Sequence, residues 1–387
     1  MRFSERMAAM PEYVVARLNA VIAEQRAAGV DVISLAIGDP DLPPDPRIRA
    51  RLADEVQRDD AARYPTNVGE PDLRDAVAEH YARRFGVQVD PATEVLPLLG
   101  AKEGLAHLAL AVLDEGALSL AADPGYPVYA GGPLIAGARA FPLPLTATNG
   151  FQPDLDAVPA DAAERARLLV CGYPNNPTGA VAAPDLFARL AAYGDRHDLV
   201  LCHDHAYAEI AYDDAQAPSA LAHPGFRARG IEILSLSKTY SVPGWRIAFA
   251  VGNPEIVGTL RRLKTQIDSG MFPALQRTAA WMLRQDDLDG PPVAVYRARR
   301  DLACARLAEI GLPVDPPAGG MYLWVPVPGG ETSEAFAERL LRDAAVVVTP
   351  GTAYGEGGEG YVRLALTVPE ERLREALDRI GAALAAS

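Results

Sequence analysis

From Glu94 to Val251, short apolar runs alternate with segments of helical period. That alternation restricts the fold more than any single motif does. The spacing predicts strands at Glu94–Leu98, in ALSLAAD, ARAFPL and ARLLVCG, up to about Asp204, at Ile231–Leu234 and at Arg246–Val251. Between them it predicts helices at Lys102–Leu113, in PGYPVYAGGPLIA and at Asp185–His197. Strands joined through helices of roughly 10–15 residues imply an α/β fold, a mostly parallel sheet with helices on both faces. Ligands of such sheets gather at the carboxyl ends of the strands. The loops LGAKEG, DPGYP, GYPNNPTG, DHAY and SLSKTY all follow strands in this reading, so they converge on one site.

The flanks read differently. Pro11–Ala28 has the apolar spacing of a helix, closed by Gly29, and VISLAIGDPDLPPDP runs from a short strand into an acidic, Pro-rich loop. Helices are expected at Arg47–Gln57 and Pro71–Phe85, with a loop around Tyr64 and Gly69 between them. Two more follow at Pro254–Gln266 and Pro273–Gln285. Beyond them comes a long helix, Val293–Ile310, with strands at Met321–Val327, Val346–Val348 and Tyr361–Leu366 and helices at Ser333–Leu341 and Pro369–Ala385. This predicts a large domain over residues 45–285 and a smaller α+β domain from 1–44 and 286–387, with the N-terminal helix packed on it. GEGGEG, residues 355–360, reads as a surface loop or a flap.

At 387 residues the chain is too long for one small core. Its net charge of −14, with Lys and Arg scattered, argues against nucleic acid or an anionic membrane surface as partner. The three cysteines, Cys171, Cys202 and Cys304, have no CxxC spacing and suit reduced thiols in a cytoplasmic protein. The N-terminal stretch carries Glu and Arg and lacks the apolar segment of a signal peptide. No apolar run approaches the ~18 residues that a membrane span needs.

Lys238 sits in SLSKTYSVPGW, just after an apolar run. An amine held at the end of a buried strand is partly desolvated, which lowers its pKa and frees it as nucleophile or base. Ser235, Ser237 and Arg246 are donors of the kind a phosphate needs. Together they suggest pyridoxal 5'-phosphate (PLP) joined to Lys238, against the alternative of a lysine in a polar loop. LGAKEG opens a helix whose free N–H groups, at Ala101 and Lys102, make a phosphate seat. Asp204, at a strand end, suits the protonated nitrogen of a pyridine ring. The rival there is a metal site from Cys202, His203, Asp204 and His205. On a strand, however, His203 and His205 point away from Asp204, and successive residues chelate poorly, so no metal is expected. Asn176 and Tyr207 offer donors to a ring oxygen, and Tyr126 a face for stacking, although NNPTG is also an ordinary turn. Gly38 lets a ligand approach the backbone. Arg363, inside the apolar strand GYVRLALT, suits either a substrate carboxylate or an internal ion pair.

Taken together, LAIGDPD, YPTNVGEPDLRDAV, PNNPTG, DHAY, SLSKTYSVPGWRIAF and YVRLAL resemble the fold-type I PLP enzymes of the class I/II aminotransferase family, in order and over nearly the whole chain. The resemblance implies Lys238 as the Schiff-base lysine and Asp204 as the partner of the ring nitrogen. It implies Asn176 and Tyr207 at the ring oxygen, Tyr126 stacked on the ring, and Ser235, Ser237, Arg246 and the amides of Ala101 and Lys102 around the phosphate. It places Arg363 on the α-carboxylate with Gly38 beside it, and Tyr64 on the phosphate of a neighbouring subunit in a homodimer. Within the family, ARRFGV, TEVLPLLGAKEG, DPGYPVY and VVVTPGTAYGEGGEGYVRLALTVPEER are similar to LL-diaminopimelate aminotransferase-like sequences. Ser241-Val242-Pro243, Ala248 and Pro273 depart from the family pattern, which bears on substrate range rather than on cofactor use.

The activity so implied moves an amino group between an L-amino acid and a 2-oxo acid. A PLP-dependent C–S lyase on the same scaffold is the first alternative, because loops and not fold decide the reaction. A regulatory domain that binds PLP as an effector is the second, although no helix-turn-helix segment or basic patch is visible.

Overall fold

The computed structural model describes residues 1, 3–10, 14–288 and 292–386. The start of the first expected helix, 11–13, lies outside the described residues, and the helix is described over Val14–Ala27. In chain order the strands are β1 (Ile33–Ser34), β2 (Val95–Leu98), β3 (Leu118–Asp123), β4 (Arg139–Pro144), β5 (Ala166–Gly172), β6 (Val200–His205), β7 (Gly230–Ser235), β8 (Ala248–Gly252), β9 (Tyr322–Pro326), β10 (Val346–Val347), β11 (Thr349–Pro350) and β12 (Tyr361–Ala365).

Seven of them form one sheet in the order β2-β8-β7-β6-β5-β3-β4. All neighbours run parallel except β8, which is antiparallel to both β2 and β7. The reversal of β8 matters for the site. The residues just before β8 lie at the same edge as the carboxyl ends of β2, β3, β5, β6 and β7. β7 and β8 are buried along their whole length, as their apolar runs demand. Each fully buried Ile, Leu or Phe there contributes about 1.5–3 kcal/mol.

Local chemistry sets the helix ends. Asp45 caps Pro46–Val56 by accepting from the N–H of Arg47, with proline at the first helical position. Asn253 caps Pro254–Lys264 through the N–H groups of Glu255 and Ile256. Gly86 closes Pro71–Phe85 with φ 68°, a conformation that glycine adopts without strain.

A second apolar cluster joins β9, β12, Phe336, Leu340, Tyr296 and Leu377 with Ile33 and Leu35. Around it β11, β12 and β9 form a three-stranded antiparallel sheet, and β1 pairs in parallel with β10. The expected strand Val346–Val348 is thus shortened to Val346–Val347, and beyond the break at Val348 a separate strand, Thr349–Pro350, joins the other sheet. Ile22, Val32, Ala36 and Val347 form a small cluster between the N-terminal helix and this region. No helix among the described residues is long and apolar enough to cross a membrane.

Three further expectations change. SLSKTY is not an open loop, since Leu236–Thr239 forms one short helical turn capped by Ser235, whose Oγ accepts from the N–H of Ser237 at 3.2 Å. Arg246 is not the first residue of a strand; it has φ 56°, and the strand starts at Ala248. Residues 355–360 are pinned rather than free. The N–H of Gly357 donates to Asp123 Oδ1 at 3.0 Å, and a Cβ on Gly355 would lie 2.1 Å from that same oxygen.

Candidate active site

A cavity of about 260 Å³ opens at the carboxyl edge of the large sheet. Its lining includes Gly38, Ala101, Lys102, Tyr126, Asn176, Asp204, Tyr207, Ser235, Ser237, Lys238, Arg246 and Arg363. The structure thus brings together every site residue expected from sequence except Tyr64. That side chain is 91% exposed and does not line the cavity of its own chain.

Lys238 projects from the turn after β7, and its Nζ donates to the carbonyl oxygen of Gly38 at 2.8 Å. Burial is the main cause that holds its amine below the usual lysine range; Arg363 and Arg246 act in the same direction, while Tyr322 and Asp39 oppose. Asp204 stands at the end of β6. Its Oδ2 accepts from the phenol of Tyr129 at 2.9 Å and its Oδ1 from the N–H of Ala206 at 3.3 Å. Desolvation nevertheless outweighs both donors and pushes the carboxyl up to about 6. A buried acid facing a cavity with only neutral donors is well placed for a cationic ligand.

At one end of the cavity Gly100 has φ 98° and starts the helix Ala101–Val112. A Cβ on Gly100 would lie 2.1 Å from the Arg246 guanidinium, so glycine permits that close approach. The left-handed backbone of Arg246 turns its side chain to this end, where Nη1 donates to Pro243 O at 2.9 Å. A helix N-terminus, two serines and a guanidinium make a seat for a phosphate-like oxyanion.

At the other end, Arg363 on β12 donates from Nη1 to Asn176 Oδ1 at 2.9 Å and from Nη2 to Ala36 O at 2.6 Å, both neutral acceptors. Its guanidinium lies 3.9 Å from the ring centroid of Tyr322 and 4.8 Å from that of Tyr354. These contacts fix the guanidinium in the cavity lining, and its planar fork suits a carboxylate.

Sequence reasoning missed Tyr129 and Tyr322. Tyr129 lies in the first turn of the helix Val128–Ile135 and Tyr126 just before it, and their rings meet edge to face with centroids 6.1 Å apart. Tyr322 had no local signal, because an aromatic in the run MYLWV reads as core. Its phenol meets that of Tyr207 at 2.9 Å. It also fills the space beside Gly38, where a Cβ would lie 1.9 Å from its oxygen. The chain thus has its own reason for glycine at 38, besides approach by a ligand.

On the opposite face of β6, His203 and His205 turn away from Asp204 as strand alternation requires. Glu232 of β7, not foreseen, joins them, with donor atoms of all three within 4.8 Å of one another. The Glu232 carboxylate accepts from the hydroxyls of Tyr81 and Ser219 and from the N–H of Ala220, and it meets His203 Nδ1 at 2.9 Å. His203 and Glu232 thus belong to a hydrogen-bonded network behind the site, whereas His205 Nδ1 lies 3.2 Å from Glu232 Oε1 and neither of its ring nitrogens has a hydrogen-bond partner among the described residues.

The family profile described as aminotransferase class I and II matches residues 30–380. An LL-diaminopimelate aminotransferase of Desulforudis audaxviator is 47% identical over 97% of this chain and 96% of its own. One of Moorella thermoacetica is 45% identical over 98% of both. Among solved structures, substrate-bound BacF from Bacillus subtilis superposes with a TM-score of 0.94 at 33% identity, over 99% of this chain and 98% of that one. Aspartate aminotransferase from Thermus thermophilus with maleate gives 0.90 at 29%, over 99% and 100%. With a sheet of this order and a cavity at this edge, the chain belongs to the class I and II aminotransferases and is an enzyme that transfers amino groups.

Proposed function

We propose that the enzyme uses PLP to move an amino group from LL-diaminopimelate to a 2-oxo acid such as 2-oxoglutarate. The observation that carries the cofactor reading is the line-up in one cavity of a desolvated amine, a buried acid and an oxyanion seat. The donor is supported by the curated relatives named above.

The donor set fits the cofactor. Ser235, Ser237, Arg246 and the amides of Ala101 and Lys102 would hold the phosphate, and Tyr126 the ring face. Asp204 would hold the proton on the ring nitrogen, which relieves the cost of its burial. Asn176 and Tyr207 would donate to the ring oxygen. Bound there, PLP supplies a carbonyl carbon that takes up the amino group and a cationic ring that accepts the electron pair released at the substrate Cα. Lys238 would anchor the cofactor and, with its amine free, would move a proton between the substrate Cα and the cofactor's C4′. Such a positioned base contributes ~10²–10⁴-fold. Arg363, with Gly38 beside it, orients the α-carboxylate of the amino acid and of the oxo acid in turn.

We further propose a cytoplasmic homodimer with shared sites, in which Tyr64 reaches the partner's phosphate. Each chain would divide into a large domain, 45–285, and a small one, 1–44 with 286–387. The two apolar clusters support that division, the second also taking in Tyr207, Ile210 and Tyr212 of the large domain where the two would meet.

The test is a panel of amino donors with 2-oxoglutarate: LL-diaminopimelate, aspartate, glutamate, alanine and aromatic amino acids. The reading expects the highest kcat/KM with LL-diaminopimelate. A higher value for any other donor refutes the substrate. Protein that binds no PLP refutes the cofactor.

A further inference from the structure

Tyr322 is placed by three contacts from three different elements. Its hydroxyl meets the Tyr207 hydroxyl at 2.9 Å, its ring lies under Arg363 at 3.9 Å, and Gly38 leaves room for its oxygen by having no side chain. It is buried in the lining of the cavity and lies on β9, far in sequence from every motif around Lys238.

We propose that Tyr322 is a positioning residue that donates its hydroxyl proton to Tyr207 and so sharpens Tyr207 as the donor to the cofactor's ring oxygen. The inference rests on PLP occupying this cavity. Each phenol has one proton to give. If Tyr207 spends its proton on the ring oxygen, it must accept from Tyr322. A chain of donors of this kind polarises each successive bond. The 2.9 Å contact admits either phenol as donor, and the single proton of Tyr207 sets the direction once the ring oxygen takes it. Tyr322 faces Arg363 on β12, Lys238 after β7, Tyr207 after β6 and Tyr296 on the helix Val293–Glu309, while Asp39, beside Gly38, acts on Lys238 and Tyr296.

The consequence is readable at the nitrogen that joins Lys238 to the cofactor. Negative charge on the neighbouring ring oxygen stabilises the protonated form of that nitrogen. A stronger donor at the oxygen draws this charge away and lowers the pH at which the nitrogen loses its proton.

The experiment is a spectrophotometric pH titration of the holoenzyme in wild type, Tyr322→Phe, Tyr207→Phe and the double variant. Tyr322→Phe keeps the ring under Arg363 and removes only the hydroxyl. A charge-assisted hydrogen bond is worth roughly 1–2 pH units, and cooperative polarisation about 10–30% of it, so the midpoint should rise by roughly 0.1–0.6 unit. In the Tyr207→Phe background the second substitution should move nothing, because the proton donation would have lost its recipient. A midpoint that stays or falls in Tyr322→Phe overturns the proposal. So does a rise of equal size in the Tyr207→Phe background. Wild type without a bound-cofactor absorption band would instead refute the PLP reading itself.

Discussion

The Lys238 amine and the Gly38 carbonyl are 200 residues apart in sequence and 2.8 Å apart in space. One belongs to the turn after β7, the other to the loop after β1, so the hydrogen bond ties the large sheet to the segment beneath Arg363. The lysine is thereby held in the cavity that Asp204 and Arg363 also line.

Lys238→Ala should give folded protein that binds PLP without a covalent bond and does not turn over. Borohydride added to wild type should fix the cofactor at residue 238, as read by peptide mass mapping. Label on any other lysine would sink the assignment.

Asp204→Asn should act in opposite directions on apoprotein and holoenzyme. Burial raises the Asp204 carboxyl from 3.8 to about 6, so the cofactor-free fold keeps this proton to higher pH than the unfolded chain does. The stabilisation this proton brings is full below about pH 4 and is lost as pH rises through about 6. Asparagine never pays to ionise. At pH 8 the variant apoprotein should therefore be more stable than wild type, by up to roughly 3 kcal/mol, with the difference gone near pH 4. The holoenzyme should instead retain PLP less well. Thermal unfolding at the two pH values checks the first half, and a variant apoprotein that melts lower at pH 8 refutes it.

Arg363→Ala should raise KM for amino acid and oxo acid alike, since one clamp serves both half-reactions. The loss in kcat/KM should be about 2–5 kcal/mol, the cost of truncating one partner of a buried charge pair. Arg363→Lys should recover little of it. A lysine keeps the charge but lacks the planar fork that Asn176, Ala36 and the rings of Tyr322 and Tyr354 hold in place. Steady-state kinetics with each substrate varied would show this, and unchanged constants in Arg363→Ala would mean a purely structural arginine.

The residues legible in the sequence were those whose signal is local. Ser235, Ser237, Lys238 and Arg246 fall within one short stretch, and Asp204 with Tyr207 in another, so strand ends and loop composition sufficed. What escaped depends on pairing between distant segments. Glu232 meets His203 only because β6 and β7 pair in register, and no periodicity carries that information. Tyr322 looks like any core aromatic until Arg363 and Tyr207 are seen against it. The sequence places Arg246 within its strand because an apolar run does not reveal a left-handed residue at its start. Only the reversal of β8 explains how that arginine reaches the same edge as Ser235.

Tyr64 supplies the last prediction, that the working unit is a homodimer with shared sites. Its side chain is 91% exposed and stands outside the cavity of its own chain, yet the loop that carries it resembles the family segment that reaches a neighbouring phosphate. In a two-fold dimer each subunit gives and receives the same contact. Removing the phenol should weaken PLP retention by roughly 1.5–3 kcal/mol, the range for a hydrogen bond to a charged group. Hybrids of Lys238→Ala and Tyr64→Ala subunits then separate the two possibilities. If Tyr64 acts across the interface, one site of each hybrid carries both defects and the other keeps both lysine and tyrosine. That intact site should hold PLP as wild type does. If Tyr64 acts within its own chain, every site that has the lysine still lacks its tyrosine. Retention at the lysine-bearing sites of purified hybrids should therefore match wild type. Retention equal to that of the Tyr64→Ala homodimer, or an active monomer in sedimentation, refutes sharing.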